Sequence, residues 1–234
     1  MGSSGDQISS LPEGYVVPKV WAPKEVGGTF GAMNRPTAGA RFETKLPPKG
    51  KADYQLFSLG TPNGMKVTIL LEELGVDYDL YKIDISKQDQ FGSGFVSINP
   101  NSKIPALLDY SDGNETNPIR VFESANIMLR IAEQQGKFIP TDPRKKTEMM
   151  NWLFWLQGSA PYIGGGFGHF VKYAPIKIEY AIDRFTMECK RLLDVLDQHL
   201  ASNEFVAGDE YTIADMCILP WAMAPEIAYK SGEF

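Results

Sequence analysis

A short segment at residues 61–64 combines a hydroxyl, an amide and a predicted helix start. Thr61-Pro62-Asn63-Gly64 follows a short apolar run and precedes residues with helical spacing. Thr61 is therefore predicted to be the N-cap, with Pro62 as the first helical residue. The N–H groups at a helix start favour an anion. The Thr61 hydroxyl and the Asn63 amide add donors suited to a thiolate, although these residues equally suit a plain helix cap.

Two further segments suit a peptide-like ligand. Ile104-Pro105 opens a predicted strand. A cis bond there would turn the Ile104 backbone towards a ligand that pairs with it as an added strand. Glu123-Ser124 ends a strand and begins a helix, so Ser124 suits a carboxylate and Glu123 an ammonium group, or Ser124 is a simple cap. Together with residues 61–64, these sites match a γ-glutamyl tripeptide that carries one thiol.

The two cysteines are predicted to be buried and chemically inert. Cys189 lies on the apolar stripe of a long predicted helix, and Cys217 lies in an apolar run. Neither belongs to a Cys-x-x-Cys pair or opens a helix, where a thiolate would be stabilised. Any thiol chemistry therefore requires a sulfur brought by a ligand. The two cysteines and two histidines are scattered without ligand spacing, so no metal site is expected.

Charge and composition exclude several classes of protein. The 234 residues include 23 basic and 29 acidic side chains, giving a net charge of -6, which argues against a nucleic-acid partner. No apolar run approaches the roughly 18–20 residues of a membrane helix. The first residues contain no apolar signal core, so a cytoplasmic location without membrane contact is expected.

The residues with chemical potential lie in a predicted α/β domain at residues 53–138. Residues 1–52 show no sustained periodicity and are interpreted as an irregular N-terminal extension. Apolar spacing then predicts a β-α-β unit followed by a β-β-α unit, and therefore a mixed sheet. The predicted strands are 54–59, 78–83, 104–108 and 119–122; the predicted helices run from Thr61 to Gly75 and from Ser124 to Gly136, with a loop containing Gln90 and Gly92 after the second strand.

Residues 143–234 are predicted to form an all-helical domain that is incomplete. A helix over 144–156 is followed by a glycine-rich break at 164–168, and a long amphipathic helix begins near Pro175. Thr212-Ile213-Ala214-Asp215 is a capping box that predicts a further helix.

The chain resembles the glutathione transferase superfamily, which has a thioredoxin-like N-terminal domain and a helical C-terminal domain. It is most similar to the bacterial Nu-class, YghU-type branch and to the fungal Ure2-like proteins. The resemblance extends over about residues 18–221. It rests on Ser58-Leu-Gly-Thr-Pro-Asn-Gly64, Asn99-Pro-Asn-Ser-Lys-Ile-Pro-Ala-Leu107, Phe122-Glu-Ser124, Asn151-Trp-Leu-Phe-Trp-Leu-Gln157, Gly164-Gly-Gly-Phe-Gly-His169 and Phe205-Val-Ala-Gly-Asp-Glu-Tyr-Thr-Ile-Ala-Asp215.

This resemblance implies roles for individual residues. It implies that each site holds two glutathione molecules with adjacent thiols, and that the protein is a homodimer. Further helices would follow the capping-box helix. The implied glutathione-binding residues are Thr61, Pro62 and Asn63 at the sulfur, Ile104 before a cis Pro105 at the cysteinyl backbone, Glu123 and Ser124 at the γ-glutamyl head, Gln90 at another polar end, and Asn34, Gln157 and Arg184 at the second glutathione.

The activity implied by the resemblance is glutathione-dependent reduction of disulfides by thiol–disulfide exchange. Two alternatives stay open at this point. One is conjugation of glutathione to an electrophile, although Thr61 has no tyrosine or serine counterpart beside it. The other is a non-catalytic regulatory role like that of Ure2-like relatives, although the chain has no Asn/Gln-rich tail.

Overall fold

The computed structural model describes residues 13–22, 27–33 and 35–229. Within this part of the chain, the strands form one mixed sheet in the order β2-β1-β3-β4. β1 is parallel to β2 and antiparallel to β3, which is antiparallel to β4. The strands are β1 (Tyr54–Ser58), β2 (Tyr78–Lys82), β3 (Ala106–Asp109) and β4 (Ile119–Phe122).

Helix α1 (Pro62–Leu74) begins and ends where the sequence predicts. The Thr61 hydroxyl accepts a hydrogen bond from the Gly64 N–H, and Pro62 occupies the first turn, where no intrahelical N–H partner is needed. At the other end, Gly75 has a φ of 66°, a left-handed conformation that glycine adopts without steric cost. The predicted β-α-β and β-β-α order is confirmed, with α3 (Ser124–Gln135) after β4.

Three local predictions in the α/β part are wrong. The predicted loop after β2 contains two 3-10 turns (Ile85–Lys87 and Asp89–Phe91) and helix α2 (Ser93–Ile98). β3 begins at Ala106 and not at residue 104, since the cis Ile104–Pro105 bond precedes the ladder. The N-cap of α3 is Glu123, whose φ is 71°, and Ser124 is the first helical residue.

The second half of the described chain is helical, as predicted, but it contains no break at its glycines. Helix α4 (Pro143–Pro161) runs directly into a π-helical segment (Tyr162–Tyr173), so the predicted break at 164–168 is wrong. Helix α5 (Glu179–Leu200) begins later than predicted. The capping box is confirmed at the start of α6 (Ile213–Ala222): the Thr212 hydroxyl accepts from the Ala214 N–H, and the Asp215 carboxylate accepts from the Thr212 N–H. A short π-helical turn (Ala224–Ala228) follows α6.

One apolar core extends through both halves of the chain. Helix α6 packs against α1, α3 and α4, so the helical half covers the sheet's helices. Leu70, Met128, Leu153 and Met216 are all fully buried or nearly so in this core. None of the helices in the described residues is both long and apolar enough to cross a membrane.

The described part of the N-terminal extension contacts the α/β part. The Phe42 carbonyl accepts from the Ser93 N–H, and the Arg41 N–H donates to the Phe91 carbonyl. The Arg41 guanidinium also lies 3.4 Å from the centre of the Phe91 ring, a cation–π contact. The extension is therefore placed against the loop that carries Gln90. Its boundary at residue 52, like the other domain boundaries, stays a prediction.

Candidate functional site

Two adjoining cavities of about 440 and 520 Å³ open beside the amino end of α1. We call them the first and the second cavity, and together the cleft. The first cavity faces the N-terminal extension, and the second faces the helical half. Lining residues common to both are Asn63, Asn101, Lys103, Ile104 and Trp221.

Most of the predicted site residues line this cleft. Asn63 and Ile104 lie where the two cavities meet, so the segments at residues 61–64 and 104–105 border both cavities. Asn34 lies outside the residues that the structure describes. Thr61, Pro62 and Gln90 line the first cavity, whereas Pro105, Glu123, Ser124 and Gln157 line the second.

The turn at residues 61–64 is held tightly against the end of β1. The Thr61 Oγ1 accepts from the Gly64 N–H over 3.4 Å, which fixes the start of α1. A Cβ at Gly64 would overlap the Leu59 carbonyl oxygen, so this position requires glycine. The Oδ1 of Asn63 accepts from the indole N–H of Trp221 over 2.9 Å. The first-turn N–H groups of a helix have no intrahelical acceptor, so this turn offers donors to an anion.

The second cavity combines an acidic side chain with the start of a helix. Glu123 has the uncommon left-handed backbone conformation, and its side chain makes no capping hydrogen bond. Ser124 follows as the first residue of α3 and is 5% exposed. A carboxylate beside a helix start is suited to a zwitterionic amino-acid group, because its ammonium and its carboxylate find opposite partners there.

A buried lysine beneath this cavity was not found by the sequence analysis. Lys66 is 0% exposed, and its ammonium donates to Ser124 Oγ over 3.4 Å and to Gln157 Oε1 over 3.2 Å. Burial lowers the pKa of Lys66, and the neighbouring Cys217 and Glu123 oppose this effect. The available signal was its spacing: Lys66 precedes Leu70 by four residues and so continues the apolar stripe of α1.

Gln90 is the most buried polar residue of the first cavity. It is 2% exposed, its Nε2 lies 3.9 Å from the sulfur of Met33, and its Oε1 is buried without a partner among the described residues. An unpaired buried carbonyl oxygen is unfavourable by about 1–3 kcal/mol. Gln90 is therefore a binding candidate, because a ligand donor in the cavity would relieve this cost.

Arg184 and His169, which the sequence analysis also singled out, differ in their position relative to the cleft. Arg184 is exposed on α5 and is not among the residues that line the cleft; its charge helps lower the pKa of Glu188, after the larger effect of Arg191. His169 lies in the π-helical segment and lines the second cavity.

A second residue that the sequence analysis missed is Trp221, which lines both cavities.

The predicted burial of both cysteines is confirmed. Cys189 and Cys217 are each 0% exposed, and neither lines the cleft. Burial raises the pKa of Cys189 to about 11 and also raises the pKa of Cys217, against the opposing effect of Lys66. Neither thiol is therefore suited to nucleophilic attack. Within the described residues, no group of His, Cys, Asp or Glu side chains is arranged to hold a metal ion.

The fold and the cleft define a class of protein. A mixed sheet of β-α-β and β-β-α order, with a cis proline before its third strand, is a thioredoxin-like domain. Here it carries a helical domain that forms one side of the ligand cleft.

Comparisons with known proteins agree with this class. Family models described as the glutathione S-transferase N-terminal and C-terminal domains match residues 61–134 and 179–224. The disulfide-bond oxidoreductase YghU of Escherichia coli is 61% identical over 214 residues, which cover 88% of this chain and 73% of that protein. This chain belongs to the glutathione S-transferase family.

Two solved structures are similar to this chain over about three quarters of its length or more. Glutathione transferase YghU from Streptococcus pneumoniae, complexed with glutathione, is 57% identical with a TM-score of 0.84, covering 88% of this chain and 80% of that one. A family member from Pseudomonas fluorescens with two glutathione molecules bound is 38% identical with a TM-score of 0.72, covering 76% and 79%.

Proposed function

We propose that this protein is a glutathione-dependent disulfide-bond reductase that acts through bound glutathione and not through its own cysteines. One observation carries the proposal: both cysteines are 0% exposed and lie outside the cleft, whereas the donor-rich turn at residues 61–64 lies in it. Its similarity to a disulfide-bond oxidoreductase over 88% of the chain supports the reaction type.

The cleft has separate places for each part of a glutathione molecule. We assign the sulfur to Thr61 and Asn63, where hydrogen bonds and the helix start favour the thiolate. The cysteinyl backbone then lies against Ile104, and the γ-glutamyl head lies between Glu123 and Ser124. Gln90 serves another polar group of the tripeptide, in the first cavity.

A second glutathione is also part of this proposal. The cleft consists of two cavities that meet at Asn63, which would place two thiols side by side. Gln157 borders the second cavity. The relative from Pseudomonas fluorescens holds two glutathione molecules, which supports this arrangement. Asn34 and Arg184 remain predicted contacts of the second glutathione.

The reaction balances with two glutathione thiols and one disulfide. The first thiolate attacks one sulfur of the substrate, a mixed disulfide forms, and the other substrate sulfur leaves and takes up a proton. The second thiolate then attacks the glutathione sulfur of the mixed disulfide, which releases the second substrate thiol. Two electrons pass from the two thiols to the substrate, and glutathione disulfide is the product. The protein contributes proximity and a lowered thiol pKa.

The proposal is tested by removing both protein thiols. We expect the Cys189→Ala/Cys217→Ser double variant to keep glutathione-dependent reduction of hydroxyethyl disulfide, because neither sulfur reaches the cleft. Circular dichroism checks the fold, and calorimetry checks glutathione binding. Loss of turnover in a folded variant that still binds glutathione would overturn the mechanism.

The same assay separates the alternatives. Turnover of a chloronitroarene without disulfide reduction would identify a conjugating transferase. Glutathione binding without turnover of either substrate would favour a regulatory protein like the Ure2-like relatives.

We also propose a homodimer in the cytoplasm. An apolar cavity of about 490 Å³ between β4, α3 and α4 is bordered by Leu129, Met150 and Phe154, and the Phe154 side chain is 66% exposed. A second copy that covers this face would bury these groups. Sedimentation of the parent protein and of Phe154→Glu tests the assembly.

The proposed cytoplasmic location follows from the reaction. A reaction that consumes glutathione thiols fits a compartment that keeps glutathione reduced.

A further inference from the structure

The indole of Trp221 connects the helical half of the chain to the turn that we assign to the glutathione sulfur. Trp221 lies on α6, is 8% exposed and borders both cavities. Its N–H donates to Asn63 Oδ1 over 2.9 Å, across 158 positions of the sequence. Nothing in the spacing of the sequence indicates this contact.

The chemistry of the indole settles which atom of the Asn63 amide it meets. An indole N–H is a donor only, so its partner must be the carbonyl oxygen of the amide. The amide NH₂ is then directed away from the indole. Among the described residues no acceptor is recorded for this NH₂, and Asn63 lies where the two cavities meet. The donor side of Asn63 therefore faces the cleft.

An asparagine amide without such a contact turns readily between two orientations. One presents NH₂ to a nearby thiolate and stabilises it, whereas the other presents the carbonyl oxygen and repels it. We propose that Trp221 is a positioning residue, which holds the Asn63 amide with its NH₂ towards the sulfur of bound glutathione. This inference rests on the proposed function, which places the sulfur at Asn63.

Close packing keeps the indole in this position. A Cβ on Gly164 would lie 2.6 Å from Trp221 Cη2, so the ring rests directly on the backbone of the π-helical segment. α6 also packs tightly against α1, which carries Asn63. The bond between Trp221 and Asn63 is thus held from two sides, and Trp221 cannot swing away without disturbing both contacts.

Other charged and titratable groups also act on a thiolate in the cleft. They stay the same when Trp221 alone is changed, so a comparison of variants isolates the effect of Asn63. These groups are Arg35, Arg41 and Lys103 in the first cavity, and Glu123, His169, Tyr173 and Tyr229 in the second, with Lys103 common to both.

The test compares Trp221→Phe with the matched control Trp152→Phe. Trp152 is 9% exposed and its indole N–H donates to Glu148 over 2.9 Å, but it does not line the cleft. The readout is the pKa of the thiol of bound glutathione, followed by the ultraviolet absorbance of the thiolate. This measurement needs no turnover, so failure of the proposed reaction and failure of this inference are distinguishable.

We expect Trp221→Phe to weaken thiolate binding about three- to tenfold, which is the preference that one neutral hydrogen bond gives to one amide orientation. The pKa of the bound thiol rises accordingly. The affinity for S-methylglutathione, which has no thiolate, stays within twofold of the parent, and Trp152→Phe leaves the thiol pKa unchanged. An unchanged thiol pKa in a folded Trp221→Phe variant overturns the inference.

A measurement on the parent protein keeps the test decisive if Trp221→Phe does not fold. In the parent with bound glutathione, nuclear Overhauser contacts should join the Asn63 side-chain NH₂ protons to the cysteinyl β-protons of glutathione. Contacts of these NH₂ protons with the Trp221 indole N–H alone would show the opposite amide orientation and overturn the inference. Where Trp221→Phe folds, it should have no further effect on the thiol pKa in the Asn63→Ala background.

Discussion

Replacing the buried Lys66 by methionine should separate ligand affinity from stability. The Lys66 ammonium donates to Ser124 Oγ and Gln157 Oε1 at 3.4 and 3.2 Å, and both acceptors border the second cavity. These are long hydrogen bonds, so we assign each about 0.5–1.5 kcal/mol, or about 1–3 kcal/mol for the pair. If both acceptors lose their positions, glutathione binding weakens by about 5- to 150-fold.

The free energy of unfolding should change little or increase in Lys66→Met. A buried ammonium has lost its hydration, and replacement of such a charge by an apolar side chain of similar volume is often neutral or stabilising. Affinity and stability are therefore expected to move independently. A variant that merely loosened the fold would lose both.

The pH dependence of the free energy of unfolding shows whether the buried Lys66 charge stabilises or destabilises the fold. Burial lowers the pKa of Lys66 from its ordinary value of 10.5. Between the lowered pKa and 10.5 the folded protein binds fewer protons than the unfolded chain, so the free energy of unfolding rises with pH across this window. Lys66→Met should lack this rise, and its advantage over the parent should be largest below the window.

Isothermal titration calorimetry with glutathione and urea unfolding at several pH values measure both effects. Lys82→Met is the matched control, because Lys82 is exposed on β2 and is not among the residues that line the second cavity. Unchanged glutathione affinity in a folded Lys66→Met protein would refute the role of Lys66 in placing Ser124 and Gln157. A loss of stability equal to the loss of affinity would refute it as well.

Two further predictions concern packing and charge. Gly164→Ala should destabilise the fold by about 1–3 kcal/mol, because its Cβ would lie 2.6 Å from the Trp221 ring, whereas Gly165→Ala meets nothing within 4 Å and should leave the melting temperature unchanged. Equal melting temperatures would contradict the packing argument. Asp109→Asn should cost about 1–3 kcal/mol in urea unfolding, since Asp109 is buried and pairs with Arg130 over 2.6 Å. Burial raises the pKa of Asp109, but hydrogen bonds from Ser111 and Arg130 outweigh burial and lower it. The stability that the Asp109 carboxylate contributes to the parent should therefore be lost as the pH falls below about 4, whereas the variant should show no such loss. Parallel pH profiles of the two free energies of unfolding would contradict this account.

Local signals explain why much of the fold was predictable. The start of α1 depends on Thr61 and Pro62, its end depends on Gly75, and the start of α6 depends on the capping box of Thr212 and Asp215. In each case the residues that decide the conformation lie within four positions of one another, so the sequence contains the whole interaction.

The glycine-rich segment shows where such reasoning fails. Glycines usually interrupt helices, and a break at 164–168 was the natural prediction. In the structure, a Cβ at Gly164, Gly166 or Gly168 would collide with the rings of Trp221, Phe185 or Tyr229. These glycines are needed for close packing within a continuous helical segment. Their partners are distant in sequence, so no local pattern reveals the reason.

The candidate site was predictable in part for the same reason. Thr61, Asn63, Glu123 and Ser124 stand at helix starts, which a sequence reveals, and the structure brings them to one cleft. The contributions of Lys66 and Trp221 depend on contacts between α1 and the helical half, and those appear only in three dimensions.

The setting of Lys66 has a consequence for exchanging parts between relatives. The lysine belongs to the thioredoxin-like part, whereas Gln157 and Cys217, which surround its ammonium, belong to the helical part. A chimera that joined this α/β part to a foreign helical half would keep the Ser124 acceptor but leave the buried ammonium without its second acceptor, unless the new half supplied one at the Gln157 position. Recombination at the junction between the two parts should therefore succeed only among sequences in which these positions change together.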